Sequence, residues 1–297
     1  MAVADTRPLP GSRPRTERRE PGLLRKIADH WADYIYILPS ILVMLVVIGY
    51  PIVYTVILSF HDTSARSAEW VFNGGANFPR ILSNPLFWKI TGNTMVWTFG
   101  STIFAFILGV VAALALHKAF PGRSIVRAIL LIPWVISAVA AAYVWRWLLH
   151  SDYGLLSGTL MQWGIIDRPL VLLDSTTWVM PTMVMVNVWK EFPFVMIMFT
   201  AGLQTVPEQQ LRAARVDGAN TWNQFLHVTL PHVRGVVVIT TLLLFVVNLN
   251  SFTLVFLMTG GGPANASQLW ITEIYSLAFR SLQYGLASSF SVILFVI

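Results

Sequence analysis

The sequence predicts an all-α integral membrane protein, and three observations carry that prediction. The 297-residue chain is 56% hydrophobic and only 11% charged. Its apolar residues gather into runs of about 20, the length a helix needs to cross a bilayer. The basic residues fall unevenly between the segments that join those runs.

Six runs read as transmembrane helices, at roughly 34–60, 94–116, 125–149, 178–203, 233–258 and 282–297. The sixth is short, and the sequence stops at Ile297 while still apolar, as expected of a span that is cut off. Two regions follow: residues 1–33, a tail with an amphipathic helix, and residues 34–297, the transmembrane domain.

With the N-terminus inside, the inner segments carry Arg7, Arg13, Arg15, Arg18, Arg19, Arg25, Lys26, Lys118, Arg123, Arg127, Arg212, Arg215 and Arg234. The outer ones carry Arg66, Arg80, Lys89, Arg168 and Arg280. That excess is the positive-inside pattern, and it places the polar island at 206–231 in the cytoplasm.

The tail, residues 1–22, is rich in Pro, Gly and Arg and reads as disordered. Residues 23–33 space Leu23, Leu24, Ile27 and Trp31 between Arg25, Lys26 and Asp29, a pattern for a helix lying on the inner leaflet. The net charge of +6 is explained by anionic lipid near this tail; no folded nucleic-acid recognition motif accompanies it. The first apolar run starts late, is long and lacks a small-residue cleavage site, which argues against a cleavable signal peptide. Outer loops are expected at 61–92, turning at Asn73-Gly74-Gly75, at 150–177, and at 259–280, which opens Thr259-Gly260-Gly261-Gly262-Pro263.

With no cysteine there is neither a disulfide framework nor a thiolate metal site. His30, His61, His117, His150, His227 and His232 show no ligand pairing at helical spacing, so no metal is expected. No paired carboxylates or nucleophile–base set sits in the spans, so no catalytic residue is assigned. There is no G-x-x-x-x-G-K-[ST] loop, so any ATP and Mg must be bound by another chain, and this chain is expected to hold no cofactor.

The island is the most informative segment. Pro207 suits a first helical position and Glu208 the positive helix end. Gly218 breaks the run, and Trp222, Phe225 and Val228 then recur near helical spacing up to Pro231. Two short helices joined at a glycine are expected.

Ala213-Ala214, Asp217-Gly218-Ala219, Phe225 and Leu230-Pro231 resemble the EAA loop of the transmembrane subunits of binding-protein-dependent ABC importers. The family carries Glu before the two alanines, where this chain has Arg212. The resemblance implies the type I importer fold, with the island as the coupling helix that docks on an ATPase. Glu208, Arg212, Ala213, Ala214, Asp217, Gly218, Ala219 and Phe225 are the candidate coupling residues. Pro133-Trp134 opening the third span, Trp145 and Trp147 closing it, the loop at 261–263, Tyr275 and Phe279 are similar to the carbohydrate-importing branch. So is the motif Asn187-Val188-Trp189 with Phe192-Pro193. That branch includes maltose, glycerol-phosphate and mycobacterial trehalose permeases.

The cargo so implied is a sugar, a disaccharide such as trehalose. The implied partners are a second homologous permease, two ATPase subunits and an extracytoplasmic substrate-binding lipoprotein. An importer for an amino acid, polyamine or phosphate is the alternative reading.

The spans hold few polar residues. Asn187, Lys190, Glu191 and Phe194 share one helix face by i, i+3, i+4, i+7 spacing. Burying Lys190 or Glu191 against lipid costs about 2.5–3.5 kcal/mol, so both should face a bundle interior or a wet cavity. Asn248 and Ser251 share a face of the fifth span, with Asn250 rotated away. Positions matching Asn187, Lys190, Glu191, Phe194 and Asn248 lie near the sugar in the maltose-type subunit, so these five and Ser251 are the candidate substrate residues. The competing reading is structural, with Lys190 or Glu191 bonded to a polar group on a neighbouring helix.

Overall fold

A computed structural model of the chain describes residues 31–64 and 67–296. Residues up to Tyr54 and those from Thr55 onward form separate compact units. The expected tail, and nearly all of the amphipathic helix at 23–33, lie outside the described residues.

The first span is α1 (Trp31–Met44) and α2 (Tyr50–Ser59) joined by one π-helical turn, Leu45–Gly49. It is apolar all round, as a lipid-facing helix should be. The fold then departs from the all-α expectation. His61–Ser64 (β1) and Ser67–Phe72 (β2) pair antiparallel, with His61 opposite Phe72. The hairpin leads into the turn at Asn73-Gly74-Gly75, where both glycines have positive φ (61° and 91°). Its anchor is Asn77, at the start of α3 (Asn77–Leu82), whose amide donates to the carbonyls of Ser59 and His61 (3.3 Å each).

The second span starts nine residues earlier than its apolar pattern suggests. It is α4 (Pro85–Ala115), with Pro85 at N1 and the Asn84 side chain capping the Leu86 N–H at 2.9 Å. The early start has a reason. Lys89 donates to the Ala264 carbonyl (2.7 Å) and Asn93 to the Asn265 carbonyl (2.9 Å), while Trp270 Nε1 donates to Thr91 (3.0 Å). The polar first turns of α4 thus hold the glycine-rich loop.

The third span is broken. α5 (Arg123–Val135) and α6 (Ala138–Leu148) meet at 95°. Pro133-Trp134 therefore ends the first half rather than opening the span. The segment after α6 contains a helix, α7 (Leu155–Gln162). The fourth span, α8 (Val179–Leu203), matches its expectation closely and is the most deeply buried.

The island gives α9 (Glu208–Val216) and α10 (Thr221–Gln224). The second short helix does not end at Pro231. A π-helical turn, Phe225–Thr229, joins α10 to α11 (Leu230–Leu249), so residues 221–249 form one helix with Pro231 tolerated in the first turn of α11. The fifth span in turn stops at Leu249, short of 258. Thr253–Met258 is a separate helix, α12, packed on α6. The last expected loop also folds, as α13 (Trp270–Tyr275) and a π turn at Ser276–Arg280. α14 (Tyr284–Val296) is apolar but only 13 residues long. Among the described residues, four helices are long and apolar enough to cross a membrane, or five with the bent pair as one span.

α4 and α8 form the most extensive helix contact. Gly109 makes it possible: a Cβ there would run into the Val195 side chain and stand 2.7 Å from the Phe192 carbonyl. Small residues let membrane helices approach closely where no hydrophobic effect drives them together. Gly109→Val should therefore lower the thermal midpoint of the purified protein, by overpacking of about 1–3 kcal/mol or more. Gly92→Ala, on the same helix with open space at its Cβ, should leave the midpoint unchanged or slightly raised, since alanine favours a helix over glycine.

Candidate functional site

Two constellations stand out, one at mid-span and one at the surface elbow. At mid-span, Asn248 is completely buried and Asn187 nearly so (4% exposed). Asn187 Nδ2 donates to Asn248 Oδ1 at 2.7 Å. Asn248 Nδ2 donates to Glu191 Oε2 (2.9 Å) and to Thr102 Oγ1 (3.3 Å). The Asn248 backbone carbonyl accepts from Trp97 Nε1 at 3.1 Å. The side chain of Asn248 thus uses its acceptor and both donors. The network joins α4, α8 and α11.

Lys190 points elsewhere. Its Nζ donates to the Ile136 carbonyl at 2.8 Å. Ile136 is the C-cap of α5, at the break in the third span. A broken helix exposes carbonyls with no intrahelical partner, and a cation suits that negative end. Each of the two charges thus has a polar partner on a neighbouring element. Phe194 is partly buried against Ala105, Val195 and Leu244 and stacks with Trp134 (6.1 Å between centroids, 28° between planes). Ser251 does not continue the face of Asn248. It lies past the end of α11, in the break before α12, with its N–H on the Asn248 carbonyl at 3.1 Å.

Of the six mid-span candidates, Asn187, Glu191 and Ser251 thus bond to Asn248, Phe194 packs beside Leu244 and Trp134, and Lys190 caps the broken helix. Sequence reasoning missed Trp97, Thr102 and Ile136. One signal was present: Thr98, Ser101 and Thr102 follow i, i+3, i+4 spacing, and all three are buried. The hydroxyls of Thr98 and Ser101 have no hydrogen-bond partner among the described residues. This side of the seam keeps unused polar capacity.

The elbow is a C-capped corner. Asp217 is the C-cap of α9 and Gly218 follows at φ 80°. The Ala219 N–H reaches the Ala214 carbonyl (2.9 Å) and the Gly218 N–H the Arg215 carbonyl (3.1 Å), the paired bonds of a Schellman motif. Asn220 then caps α10 through the Asn223 N–H (2.8 Å), and Gln224 Nε2 bonds back to the Ala219 carbonyl (2.7 Å). Glu208 and Arg212 form an exposed i,i+4 ion pair at 2.9 Å. The Arg212 guanidinium, by hydrogen bond and charge, holds the Glu208 carboxyl below its ordinary pKa. Ala213 is exposed and Ala214 half-buried. Phe225 turns inward, against Phe199 (6.5 Å) and the cluster of Ala113, Leu116, Met196 and Val233. Val216 (88% exposed) and Trp222 (64%) leave an apolar face open at the corner.

A bundle of broken apolar helices with a rigid corner at one end and a buried polar seam at mid-span defines a membrane transport component. The family described as "Binding-protein-dependent transport system inner membrane component" matches residues 105–297, and the chain belongs to that family. It is 35% identical over 264 residues to a probable ABC transporter permease protein of Brucella suis, covering 89% of this chain and 91% of that one. It is 34% identical to the trehalose/maltose transport system permease protein MalF of Thermococcus litoralis, covering 89% and 88%. The trehalose transport system permease protein SugA of Mycobacterium tuberculosis is 30% identical, covering 91% and 86%. A solved bacterial ABC transporter involved in alginate import shares the fold, with a TM-score of 0.77 and 23% identity over 93% of this chain and 95% of that one.

Replacing Asn248 with Ala strands the Glu191 carboxylate in the bundle. We expect a loss of about 1–3 kcal/mol, because a buried polar group left without its partner keeps its full desolvation cost. Asn250→Ala removes only an exposed bond to the Val246 carbonyl and should be near neutral. Thermal unfolding of the two variants side by side measures the difference.

Proposed function

We propose that this chain is the channel-forming subunit of an ATP-driven importer that carries a sugar, a disaccharide of the trehalose or maltose kind, across the inner membrane by alternating access. One observation carries the reading. The helix at 221–249 starts at the elbow corner and carries Asn248 in its last turn, so one continuous element joins the surface turn to the mid-span polar seam. Relatives named for trehalose and maltose transport, similar along nearly the whole chain, support the sugar. The chain itself is a permease subunit and no enzyme.

Its partners in this reading are a second, homologous permease subunit, two ATPase subunits that bind ATP and Mg, and an extracytoplasmic substrate-binding protein. ATP binding closes the ATPases. The corner formed by Glu208, Arg212, Ala213, Ala214, Asp217, Gly218 and Ala219 moves with them, and Phe225 passes the movement to the bundle. The seam then opens to the side where the binding protein delivers its sugar. Amides and a carboxylate suit this cargo, since sugar hydroxyls both donate and accept, and Phe194 offers an aromatic face for the ring. Asn187, Glu191 and Asn248 exchange their mutual bonds for bonds to the sugar. Ser251 lines the path at the helix break, and Lys190 acts through the hinge that it caps. Hydrolysis resets the seam.

Uptake by the reconstituted transporter tests the cargo. Trehalose or maltose should be accumulated on ATP addition, and transport of only amino acids, polyamines or phosphate would overturn the sugar assignment. Coupling has its own test. Gly218→Val forces a β-branched residue to φ 80° with open space around it, so the strain is local to the corner. Membrane insertion should survive, while uptake and transport-stimulated ATPase activity are lost.

The proposed orientation puts Ala264 outside. Ala264 is exposed in a chain that has no cysteine, so Ala264→Cys should react with a membrane-impermeant thiol reagent added to whole cells. Labelling only from the cytoplasmic side would reverse the topology.

A further inference from the structure

A second polar cavity lies at the end of the bundle opposite the elbow, where α6 ends, α8 begins and α12 gives way to the glycine-rich loop. Arg146, His150, Asp174 and Thr259 supply its polar wall, Gly262 and Pro263 its rim, and Leu173 and Met258 its apolar floor. The volume is about 230 Å³. That is below the roughly 300–1,000 Å³ of pockets for drug-sized ligands, so it admits a single ring rather than a chain of them.

The polar groups are held in place yet incompletely used. Arg146 spends one N–H of its fork on the Leu257 carbonyl at 3.2 Å, which fixes the guanidinium against α12. His150 stacks on Tyr153 with centroids 3.6 Å apart, and its Nδ1 accepts the Asp152 N–H at 3.2 Å. An accepting Nδ1 leaves the hydrogen of the neutral ring on Nε2. Asp174 Oδ2 accepts from Ser151 at 3.3 Å, and among the described residues its other oxygen takes no bond. Among the described residues Arg146 and Asp174 form no ion pair with each other, although they share one small cavity. A guanidinium and a carboxylate kept apart in this way suit a ligand whose neighbouring groups each accept from one and donate to the other. Vicinal hydroxyls do that, and a lone anion or cation would leave one of the two charges opposed.

We propose that this cavity is a second carbohydrate site, taking one pyranose ring of a neutral sugar at the delivery end of the permease before it reaches the Asn248 seam. The proposal rests on the sugar-import reading above. Asp174 is the acceptor for a pair of hydroxyls, with Arg146 and His150 Nε2 as donors. The site lies outside the mid-span seam and shares no residue with it.

The test uses the complete transporter in lipid nanodiscs and proteoliposomes. Asp174→Asn and His150→Phe both lie at the partly open cavity wall, so folding should survive. Each should raise the KM for trehalose uptake about tenfold, the equivalent of one hydrogen bond, with kcat unchanged. Affinity for the binding protein should stay the same. An unchanged KM in both variants overturns the proposal. So does a rise in KM matched by an equal loss of binding-protein affinity, because the cavity is then a docking surface for that protein. Titration of methyl α-D-glucoside into the complex separates this site from the transport reading. Binding by the parent that weakens in Asp174→Asn supports the site even if uptake of every sugar fails. Absence of binding to the parent overturns it.

Discussion

Everything at the centre of this molecule depends on the valence of one buried amide. Asn248 accepts from Asn187, donates to Glu191 and Thr102, and offers its backbone carbonyl to Trp97. No water reaches a fully buried side chain in an apolar bundle, so each of these groups would otherwise be stranded. The constraint is mutual. Glu191 is tolerable on α8 because Asn248 on α11 supplies a donor, and Asn248 is tolerable because two other helices, α4 and α8, present the right partners. Lys190 obeys the same rule with a different solution, since the broken third span leaves a free carbonyl within its reach.

Much of this was legible in the sequence where the physics is local. Long apolar runs fix spans whatever they pack against, which is why the fourth span matched almost residue for residue. A glycine after a helical run is likewise a local instruction, and Gly218 carried it out, while the Asn220 cap that follows went unread. The helix face shared by Asn187, Glu191 and Phe194 needed only the 3.6-residue period.

What remained hidden depends on partners distant in the chain. The start of α4 at Pro85 had a local signal, the Asn84 cap with Pro85 at N1, but hydropathy passed over it because the first turns are polar, and their polar groups serve a loop some 170 residues later. The breaks at 136–137 and 250–252 were invisible to hydropathy, since a broken span is as apolar as a straight one. The stop at Pro231 was misjudged for a related reason. Pro231 lies inside one continuous helix, where the π-helical turn at Phe225–Thr229 just before it rearranges the backbone bonds around the N–H it lacks. The hairpin at 61–72 was missed because β1 is only four residues long and gains its support from elsewhere. Ser289 on α14 donates to the Ser59 carbonyl just before it, and a Cβ at Gly285 would collide with the His61 carbonyl.

The close approach at Gly109 has a mechanical consequence. With backbone against side chain at that point, α4 and α8 cannot slide without first separating, so they behave as one block. The α11 side of the seam meets that block through apolar packing, Leu244 against Ala105 and Val195 and Val233 against Met196 and Phe199, and at Asn248 through side-chain hydrogen bonds that can be traded one for another at little net cost. In the function proposed above, α11 is the element that moves against this block, and Asn248 lies on the face where it does so. The bonds that such motion breaks at Asn248 are, in that proposed function, ones that the hydroxyls of the cargo can replace.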